Sequence, residues 1–145
     1  MTAALRRWLV VAVVAASAAC APRVADRAPA ADARQANDGV VLLVQTAQHL
    51  DVAFLTAREL VATNEAREVR VLACGPAVSA LRADGPAAAK VAERDRAHVR
   101  VLACGLSLER AGIAPSALAP EVEVVPNGIV EVLRLQRAGF RSVEL

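Results

Sequence analysis

The sequence predicts an α/β domain of three layers: a five-stranded, mostly parallel sheet with helices on both faces. Three observations carry that expectation. The run Gly39-Val40-Val41-Leu42-Leu43-Val44 is continuously apolar, as a strand buried on both faces must be. One heptapeptide occurs twice, as Val69-Arg70-Val71-Leu72-Ala73-Cys74-Gly75 and Val99-Arg100-Val101-Leu102-Ala103-Cys104-Gly105, and each copy leads into a helical pattern. Strand-like and helix-like segments then alternate to the end of the chain, which is the pattern of a parallel sheet wrapped by crossover helices.

The elements follow in order. After the first strand, Asp51 to Thr63 spaces Val52, Leu55 and Val61 as a helix does, with Asp51 as its expected cap. Val69 to Ala73 is the second strand. Gly75-Pro76 opens a helix, with proline where its missing N–H costs nothing. Gly85-Pro86 interrupts that helix, and Ala87 to Ala97 resumes it. Val99 to Ala103 is the third strand, followed by a short helix expected to be capped by Ser107 and ended by Gly112. Val122 to Val125 is a fourth strand. Pro126-Asn127-Gly128 turns into a helix over Ile129 to Ala138, Gly139 closes it, and Phe140 to Leu145 is the fifth strand.

The chain has 145 residues, which suits one folded domain. Residues 1–19 read as a secretory signal peptide. Arg6 and Arg7 form a basic head, Trp8 to Ala16 is wholly apolar, and Ser17-Ala18-Ala19 offers the small residues a signal peptidase accepts. The apolar stretch is far shorter than the ~20 residues a membrane span needs. Small residues followed by Cys20 resemble a bacterial lipobox, with Ser17 in place of the usual leucine. Cys20 is therefore the expected lipidation site, and ordinary cleavage near Ala19 is the alternative. Residues 20–38 are rich in Ala, Arg, Asp and Pro without apolar periodicity, as a tether is. The protein is then expected in the periplasm, held to the membrane by the lipid anchor alone. Residues 39–145 remain for the fold, enough to bury a core without disulfide staples.

The net charge is +2, with 17 basic and 15 acidic residues, and Arg6 and Arg7 account for the excess. Beyond Trp8 the only aromatics are Phe54 and Phe140. A neutral domain with two aromatics lacks both the phosphate-neutralising charge and the stacking platforms of a nucleic-acid binder. No Walker loop or GxGxxG sequence suggests a nucleotide, and no cysteine–histidine cluster has zinc spacing. No cofactor and no metal are expected.

The chemistry therefore rests on the strand ends. Open α/β sheets keep their sites at the carboxyl edge of the strands, and the repeat puts Cys74 and Cys104 at equivalent places there. Cys104 should stand just before a helix, where N–H groups and the helix dipole favour an anion. Gly105 beside it would let backbone amides approach a bound sulfur or oxyanion. A small buried thiol with no role is the plainer reading of either cysteine. If the two strands are neighbours in register, Cys74 and Cys104 could pair; a slip of one residue would put them on opposite faces. His49 follows the first strand and so belongs to the same edge, as a candidate base or as a solvated loop residue. Gly75, Asn127 and Gly128 lie in turns of that edge and are, with Gly105, its candidate ligand-binding residues, Asn127 being most simply a helix cap whose turn could also line a pocket. His98 precedes the third strand, at the opposite edge, and has no assigned role.

These residues also resemble a family. Val99-Arg100-Val101-Leu102-Ala103-Cys104-Gly105-Leu106-Ser107-Leu108 is similar to the cysteine segment of DsrE/DsrF-like proteins. So are Val124-Val125-Pro126-Asn127-Gly128-Ile129-Val130-Glu131 and Gln136-Arg137-Ala138-Gly139-Phe140, and Gly75-Pro76-Ala77-Val78 looks like the family's first strand-to-helix turn. The resemblance covers nearly all of Val40 to Leu145. It implies a five-stranded parallel sheet, homo-oligomers, and sulfur carried as a persulfide on a strand-end cysteine, which matches Cys104. Cys74 stands where relatives often carry histidine or another residue, and Asn127 replaces a common serine. The resemblance thus implies a sulfur carrier or sulfurtransferase working with a donor or acceptor protein. A non-catalytic binding or assembly module of the same fold, or a thiol–disulfide protein using Cys74 and Cys104, are the alternatives.

Overall fold

The computed structural model describes residues 38–145. The expected signal peptide, Cys20 and the tether up to residue 37 lie outside them. Five strands, β1 (Gly39–Val44), β2 (Glu68–Ala73), β3 (Val99–Cys104), β4 (Val122–Val125) and β5 (Arg141–Glu144), form one sheet in the order β4-β3-β2-β1-β5. All four pairings are parallel. The central strands are almost wholly buried, whereas the edge strands β4 and β5 have no fully buried residue and carry charges. Charged, short edges are the usual protection of a sheet against pairing with another chain.

The strand order decides which helix goes where. β1, β2, β3 and β4 step in one direction, so right-handed crossovers put their connections on one face. These are α1 (Ala47–Ala62), a 3-10 helix at Gly75–Leu81, α2 (Ala88–Glu93) and α3 (Gly105–Ala111), with a further 3-10 turn at Pro115–Ala117. Their core joins Leu50, Val78, Leu81, Val91 and Leu108 to Val71 and Val101 of the sheet. The last connection must return from β4 to β5 at the far edge, so α4 (Gly128–Arg137) crosses the opposite face. There Val132 and Leu135 pack with Val41, Leu43, Leu72, Leu102 and Phe140.

The element order agrees with the sequence expectation, and the first three helical segments differ from it locally. α1 begins four residues before Asp51, after extended Thr46, and Asp51 instead pairs with Lys90 of α2 at 2.7 Å. The segment after β2 winds as a 3-10 helix rather than an α-helix. Three residues per turn lines up Ala77 with Ala80 and Val78 with Leu81, and all four are buried. α2 stops at Glu93 rather than running to Ala97. Arg94 turns to an extended conformation and its guanidinium bonds to Val99 O at 3.0 Å and to Glu121 at 2.9 Å. Asp95 then accepts from the Ala97 N–H and pairs with His98 at 2.7 Å, closing a turn in place of the helix. Gly112 ends α3 in the left-handed region (φ 65°) as expected.

Leu102 is 1% exposed under α4, whereas Leu133 on the outer face of the same helix is 48% exposed. Leu102→Ala should therefore cost about 2–5 kcal/mol in urea unfolding, and Leu133→Ala no more than about 0.5 kcal/mol. Equal costs would mean that α4 does not seal this face.

Candidate functional site

The repeated heptapeptides lie side by side. Val69 pairs with Val99, Arg70 with Arg100, and so on to Ala73 with Ala103, without a slip. Cys74 follows at the end of β2 and Cys104 closes β3, so alternation puts both thiols on the face that α4 crosses, beyond Leu72 and Leu102. Both are reduced and buried, at 8% and 5% exposure.

The start of α4 closes over them. Asn127 is extended, and its Oδ1 accepts from the N–H groups of Ile129 (3.0 Å) and Val130 (3.4 Å), the expected cap. The Gly128 N–H, one of the amides a helix leaves without an internal partner, donates to Cys104 Sγ at 3.3 Å. Only glycine fits there. A β-carbon at 128 would overlap Cys74 Sγ and stand 3.5 Å from Cys104 Sγ. Gly75 takes a positive φ of 54°, which turns the chain out of β2 and lets its N–H donate to Ser107 Oγ at 2.8 Å. Ser107, in the first turn of α3, is thus no cap: Cys104 itself flanks that helix, and Ser107 turns its hydroxyl toward the thiol.

The two thiols titrate in opposite directions. For Cys104, burial is the largest influence and opposes charge. Hydrogen bonds from the Ser107 hydroxyl, the Gly128 and Ser107 N–H groups and the Cys74 thiol together outweigh it, holding Cys104 below its ordinary value. For Cys74, burial comes first, followed by the charge on Cys104 and the hydrogen bond to it, and the thiol is pushed up to about 12. Cys74 therefore holds its proton the more firmly, and Cys104 is the easier of the two thiols to ionise.

The site thus gathers Cys74, Cys104, Gly75 and Gly128 from the predicted residues and adds Ser107, whose contact with the thiol the sequence did not suggest. Its signal lies in the repeat. Three residues after each cysteine stand Ala77 in the first copy and Ser107 in the second, so only the second thiol has a hydroxyl beside it. Gly105 serves packing: a β-carbon there would stand 3.1 Å from Val125 O. His49 sits exposed in the first turn of α1, and neither thiol's hydrogen bonds reach it. A cavity of about 540 Å³ lies between α1 and α2, lined by Phe54, Leu55, Arg58, Lys90 and Val99, and touches neither thiol. Among the described residues no cluster of three or more His, Cys, Asp or Glu could hold a metal ion.

Two outcomes follow from this electrostatic division. Ser107→Ala should raise the midpoint of Cys104 alkylation against pH, while Ser79→Ala, at an exposed serine away from the thiols, should leave it unchanged; equal midpoints would deny the hydroxyl its role. A thiol whose folded-state pKa is raised stabilises the fold below its unfolded value and loses that contribution as pH rises toward the folded one. Stability should therefore fall between pH 9 and about 12. Cys74→Ala should flatten that decline in urea midpoints measured across the same range.

The sequence model of the DsrE/DsrF-like family matches residues 38–145. No curated protein matches the chain. Among solved structures, the protein of unknown function MTH1491 from Methanobacterium thermoautotrophicum is 25% identical, with a TM-score of 0.70 over 75% of this chain and 100% of its own. The conserved protein of unknown function BT1422 from Bacteroides thetaiotaomicron is 14% identical, with a TM-score of 0.61 over 74% of this chain and 95% of its own, and so shares the fold. With a parallel five-stranded sheet and a family match across every described residue, the chain belongs to the DsrE/DsrF-like family.

Proposed function

We propose that the protein carries sulfur as a persulfide on Cys104. The observation that supports this most is the Gly128 N–H aimed at Cys104 Sγ at 3.3 Å, on a thiol whose ionised form Ser107 also favours. A thiolate is the form that attacks sulfur. Cys104 S⁻ attacks the outer sulfur of a donor persulfide R–S–SH; the new S–S bond forms as the donor's own S–S bond breaks, and the donor leaves as thiol. The amides and the hydroxyl that stabilise the thiolate also suit the anionic persulfide that replaces it.

The near-complete burial of Cys104 favours a second reading, a binding or assembly module in which the thiols only pack. In the carrier reading, access requires the first turn of α4 to lift, and Ile129 at 55% exposure on that turn offers a donor an apolar contact. Export, lipidation at Cys20 and assembly into homo-oligomers belong to the same proposal. They rest on the N-terminal sequence and on what the family implies.

The test uses the full chain with Cys20→Ala, so that Cys74 and Cys104 are its only thiols. Brief exposure to polysulfide should add about 32 Da to Cys104, and Cys104→Ser should abolish the gain. Thiols that stay inert to polysulfide and to alkylation until the protein is unfolded would make the binding module correct.

A further inference from the structure

The pairing of two thiols under one helix start has a chemical consequence for a carried sulfur. Cys74 and Cys104 follow paired residues of neighbouring parallel strands. Such strands lie ~4.8 Å apart, inside the Cα range over which a disulfide closes. Both sulfurs pack against the bare face of Gly128, with Cys74 Sγ the nearer. In the resting protein the Cys74 thiol donates to Cys104. Any outside thiol must displace α4 to reach this place, because neither cysteine is more than 8% exposed. Cys74 is already there, and a reactant held in place has the advantage of a very high effective concentration.

We propose that Cys74 resolves the Cys104 persulfide, closing an intramolecular disulfide and expelling the carried atom as hydrosulfide. The inference rests on the carrier reading above. The step balances within the protein. The Cys74 proton passes to the terminal sulfur of the Cys104 persulfide anion, and the resulting Cys74 thiolate attacks Cys104 Sγ. The Cys74–Cys104 S–S bond forms as the persulfide S–S bond breaks. Its electron pair leaves with the outer sulfur, which is reduced to HS⁻ while the two cysteine sulfurs are oxidised to the disulfide. An external dithiol then reduces the disulfide and resets the site.

Two features of the site favour this direction. Hydrosulfide is a better leaving group than a cysteine thiolate, and the bond to the more acidic leaving sulfur breaks faster. Cys74 is held protonated by burial first and by the Cys104 charge second. Once Cys104 Sγ is bonded to the carried sulfur, negative charge no longer sits on that atom. The pair would make the protein a sulfide-releasing device that accepts sulfane sulfur and reducing equivalents from separate sources.

The experiment loads the full chain carrying Cys20→Ala with limiting polysulfide, removes the excess, and follows free sulfide and intact mass without reductant. The expected result is about one sulfide released per loaded chain, ending about 2 Da below the reduced mass. A dithiol should restore that mass. Compared per chain already loaded, Cys74→Ser should release sulfide at least about tenfold more slowly; Cys74→Ala repeats the comparison should the serine disturb folding. A wild-type adduct that persists, or one that migrates intact to Cys74, overturns the resolving step while leaving the carrier reading standing. Failure of both the parent and Cys74→Ser to take up sulfur on Cys104 overturns the carrier reading and this inference with it.

Discussion

The return of the chain from β4 to β5 is the constraint on which the site depends. Those strands occupy opposite edges of the sheet, so α4 alone must span the face that the other helices leave bare. It starts beside β3 and β4 and ends beside β5, which brings its first N–H groups over the carboxyl ends of β2 and β3. A helix start with unpaired donors meets two thiols there because the strands run parallel and in register. Glycine at 128 is the sequence requirement of that approach, and Asn127 occupies the amides that do not face sulfur. Sheet topology thus determines where the charge can be held.

The repeat supplies two equivalent thiols, and the residues after it make them unequal. Ser107 stands three residues beyond Cys104, while Ala77 holds the same place after Cys74. The second copy continues into an α-helix that turns the serine hydroxyl toward its cysteine. The first continues into a 3-10 helix whose equivalent position is buried in the opposite core layer. Gly75 connects the copies by donating to Ser107, fixing the hydroxyl that serves Cys104. Two buried thiols this close do not readily ionise together, because that would place like charges in a region of low polarity. The asymmetry decides which one ionises first. The proposed chemistry needs that division, with one sulfur ready to attack a donor and the other holding a proton in reserve.

Much of the fold was legible because β1 is an uninterrupted apolar run, β2 and β3 repeat one β-branched apolar run broken only by Arg70 and Arg100, and the turns carry glycine, proline and asparagine where those residues are needed. β1, β4 and the Asn127 cap stand where the sequence puts them. The segments that differ are those settled by tertiary contacts. Asp51 reads as a cap until Lys90 arrives from another helix, and α2 keeps its helical pattern to Ala97 although the guanidinium of Arg94 ends it earlier. The site was half legible. The heptapeptide announced two matched thiols on one edge, but their register, and so their contact, had to come from the strand pairing. Ser107 was visible as a residue and invisible as a thiol partner, since the hydrogen bond depends on how α3 leaves β3. Gly128 was readable as a candidate residue of that edge, and only the crossing of α4 shows that it lies against sulfur.

Everything proposed for the site depends on one of the two thiols ionising far more readily than the other. Ultraviolet thiolate absorbance of the full chain carrying Cys20→Ala, followed against pH in the folded state, tests it most directly. Two separated steps are expected, one thiolate appearing below the ordinary cysteine value and the second only as pH approaches about 12. The first step should vanish in Cys104→Ser. A single step in which both thiols ionise together near the ordinary cysteine value would contradict it.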